Sequence, residues 1–591
     1  MERPAPPFAS LVETVVARLH AAPRHCAIRF RGASISNAAL LQRMHYFALQ
    51  LDAVDIDAGT RVGTCLERSP DMLALLLALW SRGAVFVPLD PALPRERLYS
   101  ICDIARVDFV FAHVSLEWHV DTMPCLLRLL KCADDYSSPA ATPMELALHP
   151  CAPEELAYVL FTSGSSGVPK GVRITHGNLA TLFAGVMPLL APAPGARILG
   201  CANPSFDIAF FELLAPLLCG GTLILADAAT CASTVQLLEL IHAEQVSVVQ
   251  ATPSHWQLLN ALPWNRSLDL AIATGEALPR DTAAAIVRRS HAAWNLYGPT
   301  ECTLWSSAHR ITGDDIADSA PAIVSIGSAL PGYDLQLEST STHEGGSSGE
   351  LIIAGGGVGA GYCEEGASRG FERRGHRTVY HSGDMCRRDD RGLLHYTGRC
   401  DNQVKHNGYR IEPDEIALLL RQHMSIQDAA CLVRPACENV PSVLFACVAL
   451  RPGMPNRDKT ALNGWLATAL PTWMLPQRYY FLDMLPRNSN GKLDRTALLA
   501  LVTSTPRLDP HGSLEARVAS VFCDVLDIED IGYCDNFLDA GGSSMQVATL
   551  VLALNEQFGS ALTLRQALEM PPTVHSIVQL LRNARPARIA S

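Results

Sequence analysis

The stretch LAYVLFTSGSSGVPKG, residues 156–171, places a turn rich in hydroxyls and glycines directly after an apolar strand and ends it with Lys170. Glycines let the backbone approach an anion closely, and amide and hydroxyl hydrogens can donate to phosphate oxygens. The stretch therefore predicts a phosphate-binding loop. The alternative is a flexible surface loop, which is the commoner use of glycine and serine runs. The hydroxyl donors of the loop are Thr162, Ser163, Ser165 and Ser166.

The loop differs from the Walker type of phosphate loop. That type needs Gly-Lys followed by Ser or Thr at the mouth of a helix. Here Pro169 precedes the lysine and Gly171 follows it, and proline has no amide hydrogen to offer. The Walker interpretation is therefore excluded.

Length and composition indicate a multidomain globular protein. The 591 residues exceed what one core serves, and 48% hydrophobic with 18% charged residues argues against disorder. The net charge of -12 disfavours nucleic acid as a partner, because phosphate backbones require a basic surface. The short basic cluster of Arg373, Arg374 and Arg377 is interpreted as solvated charge.

Cysteine usage and the N-terminus indicate a cytoplasmic protein. The 18 cysteines are scattered with no pair at the two-residue spacing of zinc and redox sites, so reduced and mostly buried thiols are expected. No signal-peptide pattern opens the chain, and no run of about eighteen apolar residues follows. We therefore expect no membrane association.

The organisation along the chain predicts an α/β multidomain fold. Apolar runs such as residues 222–225 alternate with amphipathic segments such as residues 234–244, which indicates strands alternating with helices. After residue 350, short strands are separated by glycine turns, and after residue 513 apolar residues recur at helical spacing. The predicted units are a large N-terminal α/β domain (1–397), a small α+β domain (398–502), a linker (503–512) and an all-α four-helix domain (513–585).

Four further motifs carry chemical groups suited to a nucleotide. In NLYGPTE (295–301), Tyr297 can stack on a purine, Thr300 can bond a phosphate and Glu301 can hold Mg²⁺. Asp384, in YHSGDM (380–385), can accept two ribose hydroxyls. The other two are GRCDNQVKHNGYRI (398–411) and LPRNSNGKLD (485–494). Taken singly, NLYGPTE is more often just a turn.

Together, in this order, the motifs resemble those of adenylate-forming enzymes, specifically the adenylation domains of nonribosomal peptide synthetases, over about residues 10–500. The resemblance implies that a carboxylate attacks the α-phosphate of ATP to give an acyl adenylate and pyrophosphate. A thiol then captures the acyl group. Mg²⁺ is the implied ion, bound by Glu301.

The resemblance also implies roles for individual residues. Lys492 would bring the substrate carboxylate and the α-phosphate together, offsetting charge in the transition state. Asp401 would be the hinge of a mobile small domain, and Lys405 and Gly408 would face the site in a second arrangement. The loop residues that would orient pyrophosphate are Thr162, Ser163, Gly164, Ser165 and Lys170. Those implied around the nucleoside and phosphates are Gly275, Glu276, Asn295, Tyr297, Gly298, Thr300, Asp384 and Arg399.

Four positions depart from the family pattern: His406, Asn407, Pro413 and Asp414. They lie in the element that would contact the thiol arm. The thiol-transfer step is therefore less strongly implied than adenylation.

The helical tail contains DNFLDAGGSSM, residues 535–545, in which two glycines precede a serine that opens an amphipathic helix. A helix N-terminus favours a phosphodiester, although a plain helix cap is the alternative. The context resembles peptidyl carrier domains, which implies that Ser544 carries 4'-phosphopantetheine, added by a separate phosphopantetheinyl transferase. Tethering both domains in one chain gives an effective thiol concentration of roughly millimolar and favours loading in cis.

Asp207, in PSFDIAFFE, matches the family position that pairs with a substrate α-amino group, which implies an α-amino acid substrate. The pocket residues carried over with Asp207 are Ile208, Phe211, Gln250, Ile272, Thr274, Leu296, Leu304 and Trp305. By resemblance, this set of residues looks most like pockets for cysteine and next most like pockets for glycine.

Two other functions stay open at this point: a coenzyme A ligase that shares the first half-reaction, and a carrier or scaffold protein with a degenerate adenylation domain. Asp207 and the carrier-like tail speak against the first. The intact Lys170, Glu301, Asp384 and Lys492 speak against the second. The expected partners are downstream condensation or tailoring enzymes, and the chain is expected to be a monomer.

Overall fold

The structure is a computed structural model. It describes residues 10–113, 125–130, 147–164, 167–343, 346–364, 370–375, 377–434, 442–451, 458–487, 493–503, 513–526, 531–533, 536–537, 544–560, 562–568 and 572–583. Within these ranges it confirms the predicted α/β multidomain architecture with a small sheet domain and a helical tail. No helix among the described residues combines the length and apolarity needed to cross a bilayer.

Strands and helices alternate through the first 300 residues, as the apolar runs predict. The strands are β1 (Cys26–Phe30), β2 (Ala33–Ser36), β3 (Arg61–Cys65), β4 (Val85–Pro88), β5 (Phe109–His113), β6 (Leu126–Leu130), β7 (Leu156–Thr162), β8 (Lys170–Thr175), β9 (Arg197–Gly200), β10 (Thr222–Leu225), β11 (Val248–Ala251), β12 (Leu268–Thr274) and β13 (Ser290–Tyr297). The helices are α1 (Leu11–Ala21), α2 (Asn37–Asp52), α3 (Pro70–Ser81), α4 (Arg95–Ala105), α5 (His176–Leu190), α6 (Ile208–Cys219), α7 (Ala228–Ala232), α8 (Thr234–Ala243), α9 (Pro253–Asn260) and α10 (Arg280–Val287).

The remaining strands are two edge strands of the first sheet, an antiparallel sheet and the strands of the small domain, and the helices of the tail follow. The strands are β14 (Ser307–Arg310), β15 (Ser328–Ala329), β16 (Tyr333–His343), β17 (Gly346–Gly355), β18 (Phe371–Arg374), β19 (Arg377–Arg388), β20 (Leu394–Arg399), β21 (Val404–His406), β22 (Tyr409–Ile411), β23 (Ile426–Arg434), β24 (Val443–Leu450) and β25 (Arg478–Leu482). The helices are α11 (Pro413–Gln422), α12 (Lys459–Leu466), α13 (Arg495–Thr503), α14 (Leu514–Leu526), α15 (Ser544–Phe558), α16 (Leu564–Leu568) and α17 (Val574–Asn583).

Two largely parallel sheets form the large domain. In the described residues, one has the strand order β15-β14-β13-β12-β11-β9-β10-β1-β2 and the other β6-β5-β3-β4-β7-β8. Helix α3 is buried along its whole length, and its sequence, PDMLALLLALWS, is apolar on every side, as a helix enclosed by protein must be. One continuous core joins α3 and α6 to strands of both sheets.

An antiparallel sheet completes the large domain, with the order β16-β17-β19-β18 and β20 paired to β19. The small domain then begins with the β21–β22 hairpin and continues into the sheet β23-β24-β25. Helices α11 and α12 pack on one face of this sheet and α13 on the other. Helices α14 to α17 form the predicted bundle, and its core includes Leu238 and Leu262 of the large domain.

Seven of the cysteines that the structure describes are buried, seven are partly buried and one is exposed. None of the fifteen that the structure describes forms a disulfide. Cys65, Cys386 and Cys431 lie in three different sheets and are at most 1% exposed.

Candidate active site

The predicted phosphate loop is the turn of an antiparallel hairpin. Strands β7 and β8 pair with Thr162 opposite Lys170, so the lysine opens the second strand and does not lie within the turn. Gly164 approaches the backbone closely, because a Cβ there would lie 2.0 Å from the Val168 carbonyl oxygen. Thr162 Oγ1 is buried without a hydrogen-bond partner. Such an atom needs an explanation, and a phosphate oxygen fits it.

Glu301 lies in a short 3-10 turn, Thr300–Cys302, directly after β13. Its side chain is fully buried. Tyr362 Oη donates to Oε1 at 2.8 Å, and Arg410 Nη1 donates to both carboxylate oxygens at 3.1 and 2.8 Å. Burial opposes ionisation, but the charge and hydrogen bonds of Arg410, together with the hydrogen bonds from the backbone and Tyr362, outweigh it and hold the pKa of Glu301 below its usual value. The carboxylate suits Mg²⁺, which would have to replace the guanidinium.

Asp384 is held by two donors. Tyr297 Oη donates to Oδ2 at 2.5 Å and Arg399 Nη1 donates to Oδ1 at 2.5 Å. Arg399 also reaches both oxygens of Asp401, at 2.6 and 2.8 Å. Each oxygen of Asp384 keeps a further lone pair, so the carboxylate is fixed in orientation and can still accept a ribose hydroxyl.

The residues predicted around adenine and ribose line one cavity of about 590 Å³: Gly275, Glu276, Asn295 and Tyr297 for adenine, and Asp384 and Arg399 for ribose. Glu276 accepts from Ser254 Oγ at 2.7 Å and from the Gly408 amide at 2.5 Å. Gly298 permits a tight turn, because a Cβ there would lie 2.4 Å from the Leu304 carbonyl oxygen.

The β21–β22 hairpin of the small domain reaches into the site. Lys405 Nζ lies 5.6 Å from the centroid of the Tyr297 ring, and Ser163 Oγ donates to the Arg410 carbonyl oxygen at 3.0 Å. The departures His406 and Asn407 lie in the same hairpin. His406 Nδ1 is 2.8 Å from Ser442 Oγ, within the small domain. The hairpin thus contacts the phosphate loop at Ser163, the ring of Tyr297 and the carboxylate of Glu301.

The predicted amino-acid pocket divides into a wall and a backing layer. Asp207, Ile208, Gln250, Thr274 and Leu304 line a cavity of about 560 Å³. The other four pocket residues lie behind this wall, and each is at most 1% exposed: Phe211, Ile272, Leu296 and Trp305.

A hydrogen bond and a contact between two aromatic rings hold the pocket residues in place. Trp305 Nε1 donates to Thr274 Oγ1 at 2.9 Å, and the rings of Phe211 and Trp305 are 5.0 Å apart. Burial raises the pKa of Asp207, against opposing hydrogen bonds from Thr300 and the Ile208 amide. A substrate ammonium group would satisfy this acid.

Two residues of the site escaped sequence reasoning. Arg410 is one, and Glu212 is the other. Glu212 is 2% exposed, accepts from the amides of Cys201 and Ala202 at 2.7 and 2.8 Å, and lies 3.3 Å from Gln250 Nε2. Burial raises its pKa to about 7. A single acid in the otherwise apolar helix IAFFELLAPLLC was the available signal.

Four predicted residues cannot be placed fully. Lys492, Ser165 and Ser166 lie outside the described residues, and the side chain of Ser544 does as well. The backbone of Ser544 is the first residue of α15, a helix of 15 residues. A serine there stands where the helix dipole favours an anion.

The chain matches the AMP-binding enzyme family over residues 16–363, the C-terminal domain of AMP-binding enzymes over 415–492 and the phosphopantetheine attachment site family over 516–581. Fold and site therefore define an ATP-using adenylate-forming domain joined to a phosphopantetheine carrier domain. The chain belongs to the AMP-binding enzyme family and also carries a phosphopantetheine attachment domain. The predicted resemblance, fold class and cofactor classes are confirmed, Mg²⁺ being the usual ion of such domains.

Two curated relatives are similar to nearly the whole of this chain. Phosphinothricin tripeptide synthetase PhsC of Streptomyces viridochromogenes is 32% identical over 591 residues, covering 95% of this chain and 52% of that protein. Malpibaldin synthetase of Mortierella alpina is 32% identical over 596 residues, covering 95% and 10%. The chain thus spans at most about half the length of these two curated relatives.

Solved structures are similar over almost the whole chain. One is the holo form of a nonribosomal peptide synthetase protein containing adenylation and PCP domains, bound to a vinylsulfonamide inhibitor. It is 26% identical with a TM-score of 0.75, and 98% of this chain and 97% of that chain are covered. A four-domain synthetase bound to AMP and glycine is 28% identical with a TM-score of 0.59, covering 98% of this chain and 43% of that chain.

Proposed function

We propose that the chain activates a small α-amino acid with ATP and transfers it to a phosphopantetheine arm on its own Ser544. The observation that carries this function is that Asp207, Thr300 and Asp384 line one cavity. The cavity thereby holds three groups together. Asp207 can bind an ammonium group, Thr300 can bind a phosphate and Asp384 can bind a ribose.

In the first step, the amino-acid carboxylate attacks the α-phosphorus of ATP and pyrophosphate leaves. Asp207 orients the substrate through its ammonium group, and Lys492 holds the two reacting anions together. The Thr162 hydroxyl and the Gly164 turn bind the departing phosphates. Lys170 orients these phosphates, and Lys492 is the lysine that acts on the reacting groups. Mg²⁺ on Glu301 would supply charge neutralisation of the phosphates.

In the second step, the thiolate of the arm attacks the acyl carbonyl and AMP leaves. Before this step, the small domain would rotate about Asp401. The rotation would withdraw Lys492 from the site and bring Lys405 and Gly408 into it. The contacts of the β21–β22 hairpin with Glu276 and Glu301 support that arrangement.

Cysteine is the first substrate candidate and glycine the second. Phe211 and Trp305 fill the space behind the pocket wall, which favours a small side chain. Thr274, whose hydroxyl can still donate, adds a polar group that glycine does not need. The similarity to a synthetase bound to AMP and glycine supports glycine as the alternative.

Amino-acid-dependent exchange of pyrophosphate into ATP tests the first step, with a panel of cysteine, glycine, serine, alanine and threonine. Exchange with cysteine above all others is expected, and no exchange with any amino acid would refute the function.

Incubation with coenzyme A and a phosphopantetheinyl transferase tests the second step and should add mass at Ser544. Ser544→Ala should exchange normally but accept no amino acid, whereas a coenzyme A ligase would release acyl-coenzyme A instead. Gel filtration of the loaded chain tests the expected monomer.

A further inference from the structure

Three side chains of different metal-binding types meet just before β7, at the opposite end of the β7–β8 hairpin from the phosphate loop. They are His149, Cys151 and Glu155, and their ligand atoms all lie within 4.8 Å of one another. His149 Nε2 is 2.9 Å from Glu155 Oε2. Cys151 is 8% exposed. The cluster lies outside the proposed catalytic site.

The donor set is that of zinc. Imidazole nitrogen, thiolate sulfur and carboxylate oxygen are its usual ligands, at about 2.0–2.3 Å from the ion. In a tetrahedron those bond lengths place neighbouring ligand atoms about 3.5 Å apart. The present separations, from 2.9 Å to at most 4.8 Å, bracket that value. Small side-chain rotations would therefore suffice.

A candidate fourth donor, His176, lies near the cluster but outside the group within 4.8 Å, so its ring would have to turn towards the ion. His176 is 1% exposed, and neither of its ring nitrogens has a hydrogen-bond partner. Its amide donates to the Glu155 carbonyl oxygen at 2.9 Å. Its ring contacts that of Trp80 at 5.4 Å, and the Trp80 carbonyl oxygen accepts from Cys151 Sγ at 3.6 Å. A buried imidazole without any partner is rare and costly, and coordination would remove that cost.

We propose that His149, Cys151, Glu155 and His176 bind one zinc-like divalent cation. One thiolate and one carboxylate balance the two positive charges, and the two imidazoles bind as neutral ligands. The thiol proton leaves to solvent on binding. Because Leu156 pairs with Thr175, the ion would join the two strands at the base of the hairpin that carries the phosphate loop. It would also anchor them to the end of α3 through His149, whose amide donates to the Ser81 carbonyl oxygen at 2.8 Å.

The competing interpretation is an ion pair of His149 with Glu155 beside an inert thiol. The full chain is treated with a chelator, desalted and titrated with Co²⁺. A site with Cys151 as ligand should give one equivalent of bound cobalt with a sulfur-to-cobalt charge-transfer band, which Zn²⁺ then abolishes. Absence of the band in the wild-type chain would overturn the proposal.

Variants assign the band to these residues. Cys151→Ser should remove it, and His149→Gln should weaken metal binding more than about 100-fold, since loss of a residue that only supports a ligand already costs about 10–100-fold. The matched control is His381→Ala, because His381 forms a second cluster with Glu338 and Glu350. It should leave the band unchanged. Should Cys151→Ser fail to fold by circular dichroism, the partly exposed His149 decides, and unchanged affinity in His149→Gln would also overturn the proposal.

Discussion

Replacing Arg410 should separate the two half-reactions of the proposed enzyme. Arg410 belongs to the β21–β22 hairpin of the small domain and Glu301 to the large domain, and Arg410 Nη1 donates to both oxygens of Glu301. Arg410→Met keeps an unbranched side chain but removes the cation. With the hairpin docked, Glu301 would then be a buried carboxylate without its charged partner.

The magnitude follows from burial. Removing one partner of a buried ion pair costs about 3–5 kcal/mol. Glu301 is 0% exposed but Arg410 is 19% exposed, so the lower end, about 3 kcal/mol, applies. At about 1.4 kcal/mol per factor of ten, this disfavours the docked arrangement roughly 100-fold. In the proposed mechanism, withdrawal of the hairpin would leave Glu301 to Mg²⁺, so adenylation would bear no such cost.

We therefore expect loading of the Ser544 arm to slow roughly 100-fold, while pyrophosphate exchange stays within about threefold of wild type. Loading is measured in single turnovers of the holo chain by mass spectrometry. The control is Arg421→Met, whose partner is Asp428 at the surface of the same domain, with Arg421 43% exposed. It should alter neither rate. Equal losses in exchange and loading, or undiminished loading, would refute the reasoning.

Four further predictions concern single side chains. Lys492→Ala should lower exchange by about 10²–10³-fold and Lys170→Ala by less, and the reverse order would show that the loop lysine is the catalytic one. Tyr297→Phe removes the 2.5 Å hydrogen bond to Asp384 and should lower kcat/KM for ATP about tenfold, with unchanged kinetics for the amino acid as the internal control. Thr274→Ala leaves the buried Trp305 Nε1 without its acceptor and should cost about 1–3 kcal/mol of stability, seen as a lower Tm, whereas Thr274→Ser should not. The pKa of Glu212 is raised from 4.5 to about 7, so the unfolded chain ionises first and stability should fall as pH rises from 4.5 to 7, by about 3 kcal/mol. Thermal melts of Glu212→Gln should lose that part of the pH dependence, and an identical pH profile in both proteins would contradict it.

Local structure followed from local sequence. The apolar run 222–225 is β10, and the amphipathic segment 234–244 is α8 except for its last residue. Both patterns depend on neighbouring residues, whose periodicity is written in the sequence. The amphipathic tail gave α14 for the same reason.

Contacts between distant segments could not be predicted in this way. Arg410 and Glu301 are 109 positions apart, and their pairing depends on where the small domain lies. The raised pKa of Glu212 depends on burial inside α6, which helical periodicity alone does not reveal. The division of the pocket into wall and backing layer depends on tertiary packing, which leaves Trp305 and Phe211 fully buried, so the sequence identified both as pocket residues without their depth.

The buried thiols of the three sheets give the protein its own reporters of unfolding. Cys65, Cys386 and Cys431 are at most 1% exposed, and burial raises the pKa of each thiol, that of Cys65 to about 12. Each should therefore resist alkylation until its own sheet opens. Pulsed alkylation in rising denaturant, followed by peptide mass spectrometry, would thus give the order in which the sheets come apart, without any introduced label.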